Sequence, residues 1–516
     1  MKKINLFVFV LMSYITVAQD LTVAIGGSIT ISQDSYVFVG GNFTNTAGTL
    51  KLNSVSDEFS SLLVSGSASG DIIYNRYVNI EGEGEWDLIG APVSGLSINS
   101  FIMQANNTST IATNGSFYAV GSYDNTSDTW TNATTATTGN LELGQGYQMA
   151  TTSGGTLSFT GTIANGDQIV TINNNNAANA GAGRRWNLIA NPFASYLNGN
   201  SNADETNNFL TVNAAAMNPT YAAIYGWKAD GVGYAIYNNT SIATHITPGQ
   251  GFFVAAAGSG DNQTVTFTKA MQTAKGGDDF VTARSSASFE LVLDMHSDAI
   301  KVADTKFYFK EGLTLGLDPG YDAGAYNQFS GFSSRLVAQD NGVGMGINAM
   351  PLDALSNVIV PLTIYQEAGI ALKIQIANST IPEDIKVYLE DTTENTFTLL
   401  NNESFELLAQ TALSGMGRFF LHFTTSTLST ETARSTSLLT AYKGTGNAYI
   451  SVEGLQQFSQ PAKLTLYNVL GMKILSKNIQ NPAQKEMLST LGMKTGVYIL
   501  KVQAVNTVFT KKFLIE

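Results

Sequence analysis

Past its first eighteen residues, the chain sets apolar positions at every second residue and breaks them with short polar punctuation. Leu21, Val23 and Ile25, then Ile29 and Ile31, then Tyr36 and Phe38 alternate in this way, with Gly-Gly and Asn-Thr pairs between them. A period of two puts such residues on one face of a strand, so residues 19–75 read as short strands joined by tight turns. The stretch "VGGNFTNTAGTLKL", Val39 to Leu52, fits rungs of a β-solenoid and the opening of a sheet equally well.

The pattern then repeats itself. "WDLIGAPV" from Trp86 returns as "WNLIANPF" from Trp186, "GQGYQM" from Gly144 as "GQGFFV" from Gly249, and "LSFTG" from Leu157 as "VTFTK" from Val265. Three echoes in one order predict two related β units, residues 76–175 and 176–275. Pro92 and Pro192, each lacking an N–H, suit strand ends rather than strand centres. These phrases resemble those of large secreted bacterial surface proteins.

From 285 to 423 the alternation resumes. Phe289, Leu291, Leu293 and Met295 share a face, as do Ile385, Val387 and Leu389, and Phe419, Leu421 and Phe423, which predicts an antiparallel β-sandwich. The ordered phrases "LDPGYDAGAYN", "INAMPL", "VPLTIYQEAGIALKI", "VYLED" and "GRFFLHF" resemble a sandwich module found just upstream of sorting domains, with Ala325 where that module has a basic residue. Residues 424–437, "TTSTLSTETARSTS", have nothing to bury and read as a linker. Alternation returns in 438–516, which predicts a small C-terminal Ig-like β-sandwich. The fold class is therefore all-β and multidomain.

Composition narrows the setting. Lys2 and Lys3, an apolar run from Ile4 to Val17 and a small-residue site at Thr16-Val17-Ala18 read as a signal peptide over 1–18. No other apolar run approaches the ~20 residues of a membrane span, so no transmembrane segment is expected. With no cysteine in the chain, disulfides, thiol catalysis and thiolate metal sites are excluded. The formal charge is −13, and −15 once the two leader lysines are removed; such a surface repels phosphate backbones, so nucleic acid is not an expected partner.

Chemistry leaves few marks. His245, His296 and His422 are isolated, and no zinc-binding spacing, nucleophile elbow or phosphate-binding glycine loop occurs. "DPGYDAG" sets Asp318 and Asp322 four residues apart in a Gly/Pro loop, where they would either ligate a structural calcium ion or fold an Asx turn, the turn being favoured. Asp278 and Asp279, after Gly276-Gly277, read as interdomain linker. Trp86 and Trp186 are expected in the core, because a large apolar area stabilises most when buried. Trp130, inside the polar "NTSDTWTNATT", is the candidate ligand contact, an aromatic face for a sugar ring.

The tail is the most specific stretch. Tyr467, Gly471 and Lys473 in "YNVLGMK", Leu491, Gly496, Val497 and Tyr498 in "LSTLGMKTGVYILKV", and Lys511 and Lys512 in "FTKKFLIE" stand in an order that resembles the type A C-terminal sorting domain of the type IX secretion system. Gly471 and Gly496 are expected at turn positions of positive φ, and Glu516 stands where the family commonly has lysine. The resemblance implies passage through the periplasm, recognition by the outer-membrane translocon and sorting machinery, and removal of the tail, with the remainder secreted or attached to surface lipopolysaccharide at the outer cell surface. The expected role is adhesion or glycan or matrix binding without catalysis. A hydrolase with dispersed carboxylates, which leaves no linear signature, and a purely structural surface component are the alternatives.

Overall fold

Strands dominate the computed structural model, which describes residues 19–80, 86–174, 185–228, 233–258, 262–278, 289–326, 331–338, 342–427, 440–443, 449–455, 462–468, 473–480, 485–504 and 507–515. The leader at 1–18 and linker residues 428–437 lie outside the described residues. The chain divides into two units: Met1–Ser288 with Leu317–Gln328, and Phe289–Gly316 with Phe329–Glu516.

The first unit begins with short strands stacked in parallel. Strands β1 (Leu21–Val23), β2 (Ser28–Ile31) and β3 (Tyr36–Val39) are followed by β4 (Phe43–Asn45), β5 (Thr49–Asn53) and β6 (Ser61–Val64), then by β7 (Ala68–Ser69) and β8 (Asp71–Val78). Each pairs in parallel with its counterpart 21 to 25 residues later, as Leu21 with Phe43, Ser28 with Thr49 and Tyr36 with Ser61. Val23, Ile31, Val39, Phe43, Leu52 and Tyr74 fill the interior. One corner is held by a side-chain stack: the Asn42 N–H donates to Asp20 Oδ1 at 2.7 Å, and the Ser67 N–H to Asn42 Oδ1 at 2.9 Å. Such side chains satisfy backbone donors where the chain turns away from its ladders.

Two four-stranded sheets follow. One runs β13-β12-β14-β9, from β9 (Asp87–Ile89), β12 (Val120–Asp124), β13 (Thr129–Asn132) and β14 (Tyr147–Met149), with a small hairpin of β10 (Thr113–Asn114) and β11 (Phe117–Tyr118) beside it. The other runs β20-β19-β22-β17, from β17 (Trp186–Ala190), β19 (Ile224–Trp227), β20 (Tyr234–Tyr237) and β22 (Gly251–Ala255), with β18 (Tyr196–Asn198) and β21 (His245–Ile246) paired outside it. Short helices lie between the first and second strands of each sheet: α1 (Ile98–Ile102) and α2 (Ala105–Thr110) in one, α3 (Phe209–Val212) in the other. Ser97 and Asn208 cap α1 and α3 by accepting from Ser100 N and Thr211 N. Strand β15 (Gly155–Thr162) ladders with β8, and β16 (Gln168–Ile172) with β23 (Gln263–Phe267).

The two sheets meet through reciprocal contacts. Gln145 bridges Ile189 while Gln250 bridges Ile89. The Ala190 N–H donates to Gly144 O and the Gly90 N–H to Gly249 O, both at 2.8 Å. Gly144 and Gly249 each hold positive φ, 79° and 68°. The second glycine of each "GQG" has no room for a side chain: a Cβ on Gly146 would lie 2.6 Å from Leu188 Cγ, and one on Gly251 2.7 Å from the Leu88 carbonyl carbon.

In the second unit a sheet runs through Thr396–Leu399, Lys386–Asp391, Leu413–Thr424, Asn357–Gln366, Phe332–Ser334, Met345–Pro351, Ile300–Lys310, Phe289–Ser297, Ala371–Ser379 and Phe405–Leu408. Its pairing departs from the expected antiparallel pattern where Ile300–Lys310 runs parallel to Met345–Pro351, because the long connection between them returns the chain in the same direction. Leu291, Phe307, Val360, Val387, Leu421 and Phe423 form its core. The C-terminal β domain has two antiparallel sheets, one of Thr440–Tyr442, Tyr449–Glu453 and Lys485–Ser489, the other of Lys473–Ile479, Ala462–Asn468, Gly496–Ala504 and Thr507–Ile515. Ile450, Leu464, Leu500 and Val502 are among the residues packed in its core.

Candidate functional site

The candidate site is an aromatic face on the first unit, built by two hairpins. In the first, Tyr123 on β12 stands opposite Trp130 on β13, with ring centroids 5.1 Å apart. The turn between them is folded by its own polar side chains. Asp124 accepts from Thr126 N and Ser127 Oγ, and Asp128 takes a φ of 57°, the left-handed conformation that Asp tolerates. The Tyr123 hydroxyl donates to Asp128 Oδ1 at 2.7 Å. In the second hairpin Trp227 on β19 stands opposite Tyr234 on β20, with centroids 5.0 Å apart. Each sheet thus carries one Tyr/Trp cross-strand pair, in opposite order.

Phe253 on β22 joins the two pairs. Its centroid lies 5.1 Å from Tyr123, 6.2 Å from Trp130 and 5.7 Å from Tyr234. Tyr326, from the segment Leu317–Gln328, stacks on Tyr234 at 4.0 Å and 29° and packs on Trp186 at 4.5 Å. Beside the rings, Gln148 Nε2 donates to Asn132 Oδ1 at 3.1 Å. Burial is the main cause that raises the phenols of Tyr123, Tyr234 and Tyr326. Tyr234 is pushed up to about 12, and at Tyr123 the Asp128 carboxylate adds to the rise. All three therefore stay neutral near pH 7.

Trp130 keeps 38% of its surface exposed and lies on a strand, not in the polar loop its neighbours predict. Trp186 is core as expected, at 2% exposure, whereas Trp86, expected there too, is only half-buried, packed against the core that includes Val23 and Tyr74. Sequence reading missed Tyr123, Trp227, Tyr234 and Tyr326. The signal for the first three was present, since Tyr123 precedes Trp130 by seven residues and Trp227 precedes Tyr234 by the same seven. Nothing local announces Tyr326.

The Asp318 N–H donates to Asp322 Oδ2 at 2.6 Å, so the buried Asp322 carboxylate helps to fold the loop. Among the described residues, no group of three or more His, Cys, Asp or Glu is placed to hold a metal ion. A second feature, an open groove of about 560 Å³ on the face of β5, β8 and β15, is lined by Asn75, Asn106 and Ser158 among others. These polar groups bond one another, as Ser158 Oγ to Asn75 Oδ1 at 2.8 Å and Asn106 Nδ2 to Ser158 Oγ at 3.2 Å, which lowers what a ligand would gain there.

The tail residues are placed as follows. Tyr467 pairs with Ile499 and Lys473, and the buried Tyr498 donates its hydroxyl to Lys494 O at 2.9 Å. Val497 pairs with Leu514, Lys511 with Leu500, and Lys512 with Ile499 in the last ladder. Leu491 is exposed in the turn. The positive φ expected at Gly496 falls instead on Gly492, at 77°, because the turn closes there and Gly496 already opens a strand opposite Ile515. Gly471 lies outside the described residues.

A family model described as "Domain of unknown function (DUF8693)" matches residues 3–423, and one described as "Secretion system C-terminal sorting domain" matches residues 444–516. No curated protein matches the chain. The sorting domain marks the chain as a type IX secretion substrate, exported to the cell surface or secreted. Among the described residues, no helix is long and apolar enough to cross a membrane.

Proposed function

The chain belongs to the DUF8693 family, and from its sorting tail and the aromatic face of its first unit we propose that it acts outside the cell as a binding protein, without catalysis. Its ligand is a neutral glycan or glycan-bearing matrix component, held on the aromatic face of the first unit. One observation carries this reading: Trp130, braced by Tyr123, leaves 38% of its surface open beside the Gln148–Asn132 amide pair. An indole face stacks on the apolar face of a pyranose while neighbouring amides meet its hydroxyls. Asp124 and Asp128 at the rim disfavour anionic polymers.

Two copies of one ancestral unit account for this face. The equal strand orders and the reciprocal Gln145/Ile189 and Gln250/Ile89 bridges support that reading. They also favour starting the second copy at β16, which ladders with β23, rather than at residue 176. Attachment of the exported body to surface lipopolysaccharide is part of the proposal and would appear as a ladder of masses on cell-surface material. The test of binding is a glycan array probed with the full chain and with Trp130→Ala. The variant is expected to lose about tenfold or more in affinity, the effect of removing a central aromatic contact. Equal binding by both chains would remove the aromatic face from consideration.

A further inference from the structure

The reciprocal contacts between the two sheets have the form of an isologous interface, in which position i of one copy meets j of the other and j meets i. Under that internal two-fold relation Tyr123 corresponds to Trp227, and Trp130 to Tyr234. The correspondence follows from register: Gly121 pairs with Gln148 as Tyr225 pairs with Phe253, and Tyr123 with Trp130 as Trp227 with Tyr234. The two pairs nevertheless differ in their surroundings. Trp130 faces solvent, whereas Tyr234 lies beneath the ring of Tyr326 at 4.0 Å and 29°, the geometry of one flat ring laid on another.

Tyr326 is brought there by a fastened loop. The Asn239 N–H donates to Gly320 O at 2.9 Å, Asn238 Nδ2 to Tyr321 O at 2.6 Å, and the Tyr225 hydroxyl to Gly324 O at 2.7 Å. The Asp318/Asp322 turn opens the same segment. The loop that the sequence offered as an Asx turn, with calcium as the lesser alternative, carries one aromatic ring onto the second hairpin.

We propose that the two Tyr/Trp pairs are equivalent ring-stacking subsites for successive sugars of a neutral polysaccharide, and that Tyr326 occupies the second subsite as a built-in stand-in for a ligand ring. The inference rests on the binding role assigned above to the Trp130 face. Tyr123 and Trp130 from one pair, and Tyr234 with Tyr326 from the other, all lie against the fully buried ring of Phe253, so the two subsites are neighbours on one aromatic cluster. Removing the Tyr326 ring exposes Tyr234 and lengthens the open platform from one ring position to two.

The experiment titrates the full chain with two soluble probes, cellohexaose and N-acetylchitohexaose, by calorimetry. Wild type, Trp130→Ala, Tyr326→Ala and Tyr326→Phe are compared, with Tyr326→Leu in place of the alanine variant should that fail to fold. Tyr326→Ala is expected to bind at least threefold more tightly than wild type, or with a second equivalent of probe. Tyr326→Phe, which keeps the ring, should match wild type. Trp130-dependent binding that is unchanged in affinity and stoichiometry by Tyr326→Ala overturns the stand-in role and leaves the binding role intact. A gain shared by Tyr326→Phe also overturns it, since the ring would then not be the occupant. If neither wild type nor Tyr326→Ala binds either probe while wild type takes another glycan through Trp130 on the array, the inference fails for hexose polymers alone. Absence of all Trp130-dependent binding removes both.

Discussion

At the scale of single residues, Gly90 and Ala190 show how the two sheets constrain each other. They hold the same place in the echoed phrases "WDLIG" and "WNLIA", and a Cβ built on Gly90 would lie 2.3 Å from Ala190 Cβ. Two equivalent positions that meet at an internal two-fold cannot both carry a methyl group. Gly90→Ala is therefore expected to destabilise the first unit by about 1–3 kcal/mol, the usual cost of overpacking. Ala190→Gly in the same chain should recover part of it, since the added methyl would still lie 2.7 Å from the Gln145 carbonyl oxygen. Thermal melts of the single and double variants decide the matter, because a double variant no more stable than Gly90→Ala would place the strain elsewhere. The tyrosines of the aromatic face give a second outcome. Their phenols, raised above the ordinary 10.0, bind protons in the folded state that the unfolded chain loses sooner, so their contribution is whole below pH 10. It falls as the pH rises from there toward the Tyr234 value of about 12, and a denaturant midpoint that stayed constant from pH 9 to 11.5 would contradict this. The importance of Trp186 could be read from its echo of Trp86. The Gly90/Ala190 exclusion could not, because it exists only where two distant strands touch.

At the scale of elements, the sequence disclosed what is local and periodic. The alternation of Val23, Ile31 and the pair Tyr36 and Phe38 announced strands, although in the third it is Val39 that faces the interior while Tyr36 and Phe38 are exposed; whether the strands stack in parallel depends on pairings 21 to 25 residues apart, which alternation does not encode. Likewise Tyr123 and Trp130 were visible as aromatics, and only their shared seven-residue spacing with Trp227 and Tyr234 betrays a common hairpin. Tyr326 is the extreme case, since a residue some 90 positions from Tyr234 reaches it through a loop whose sequence signals a turn or a calcium site and no aromatic contact. Elements of the second unit are tied by a pair that was equally hidden. Arg418 donates through Nε and Nη2 to the Asp391 carboxylate, at 2.8 and 2.7 Å, and the Asp391 side chain is almost wholly buried. The pair joins neighbouring strands Lys386–Asp391 and Leu413–Thr424. Arg418→Ala would strand a buried carboxylate and is expected to cost about 3 kcal/mol, the lower end for a broken buried pair, because the guanidinium keeps some solvent contact. Urea unfolding that showed less than about 0.5 kcal/mol of loss would mean that the donors Asp391 already keeps, the Thr393 N–H at 3.0 Å first, suffice to hold it.

At the scale of the whole molecule, charge is divided between body and tail. Residues 438–516 hold nine lysines against three glutamates, a net +6, so the remainder of the chain carries −19. Lys463, Lys473 and Lys494 of the tail are exposed, whereas Lys477 and Lys485 are committed to Glu486 and Glu453 at 2.7 and 3.0 Å. A cationic module on an anionic cargo is drawn to anionic surfaces that repel the cargo itself, so an anionic recognition surface would favour approach by the tail. Reversing the three exposed lysines to glutamate takes the tail from +6 to zero and leaves the packed core of Leu464, Leu500 and Val502 untouched. In a host with a working type IX system, the reversed chain should accumulate in the periplasm, as should a chain lacking 438–516, while wild type reaches the medium or the surface. Export of the reversed chain at the wild-type rate would show that shape alone, and not charge, addresses the tail. Retention of the reversed chain with a native melting profile would place the recognition step on its exposed cations, because the fold that presents them would then be unchanged.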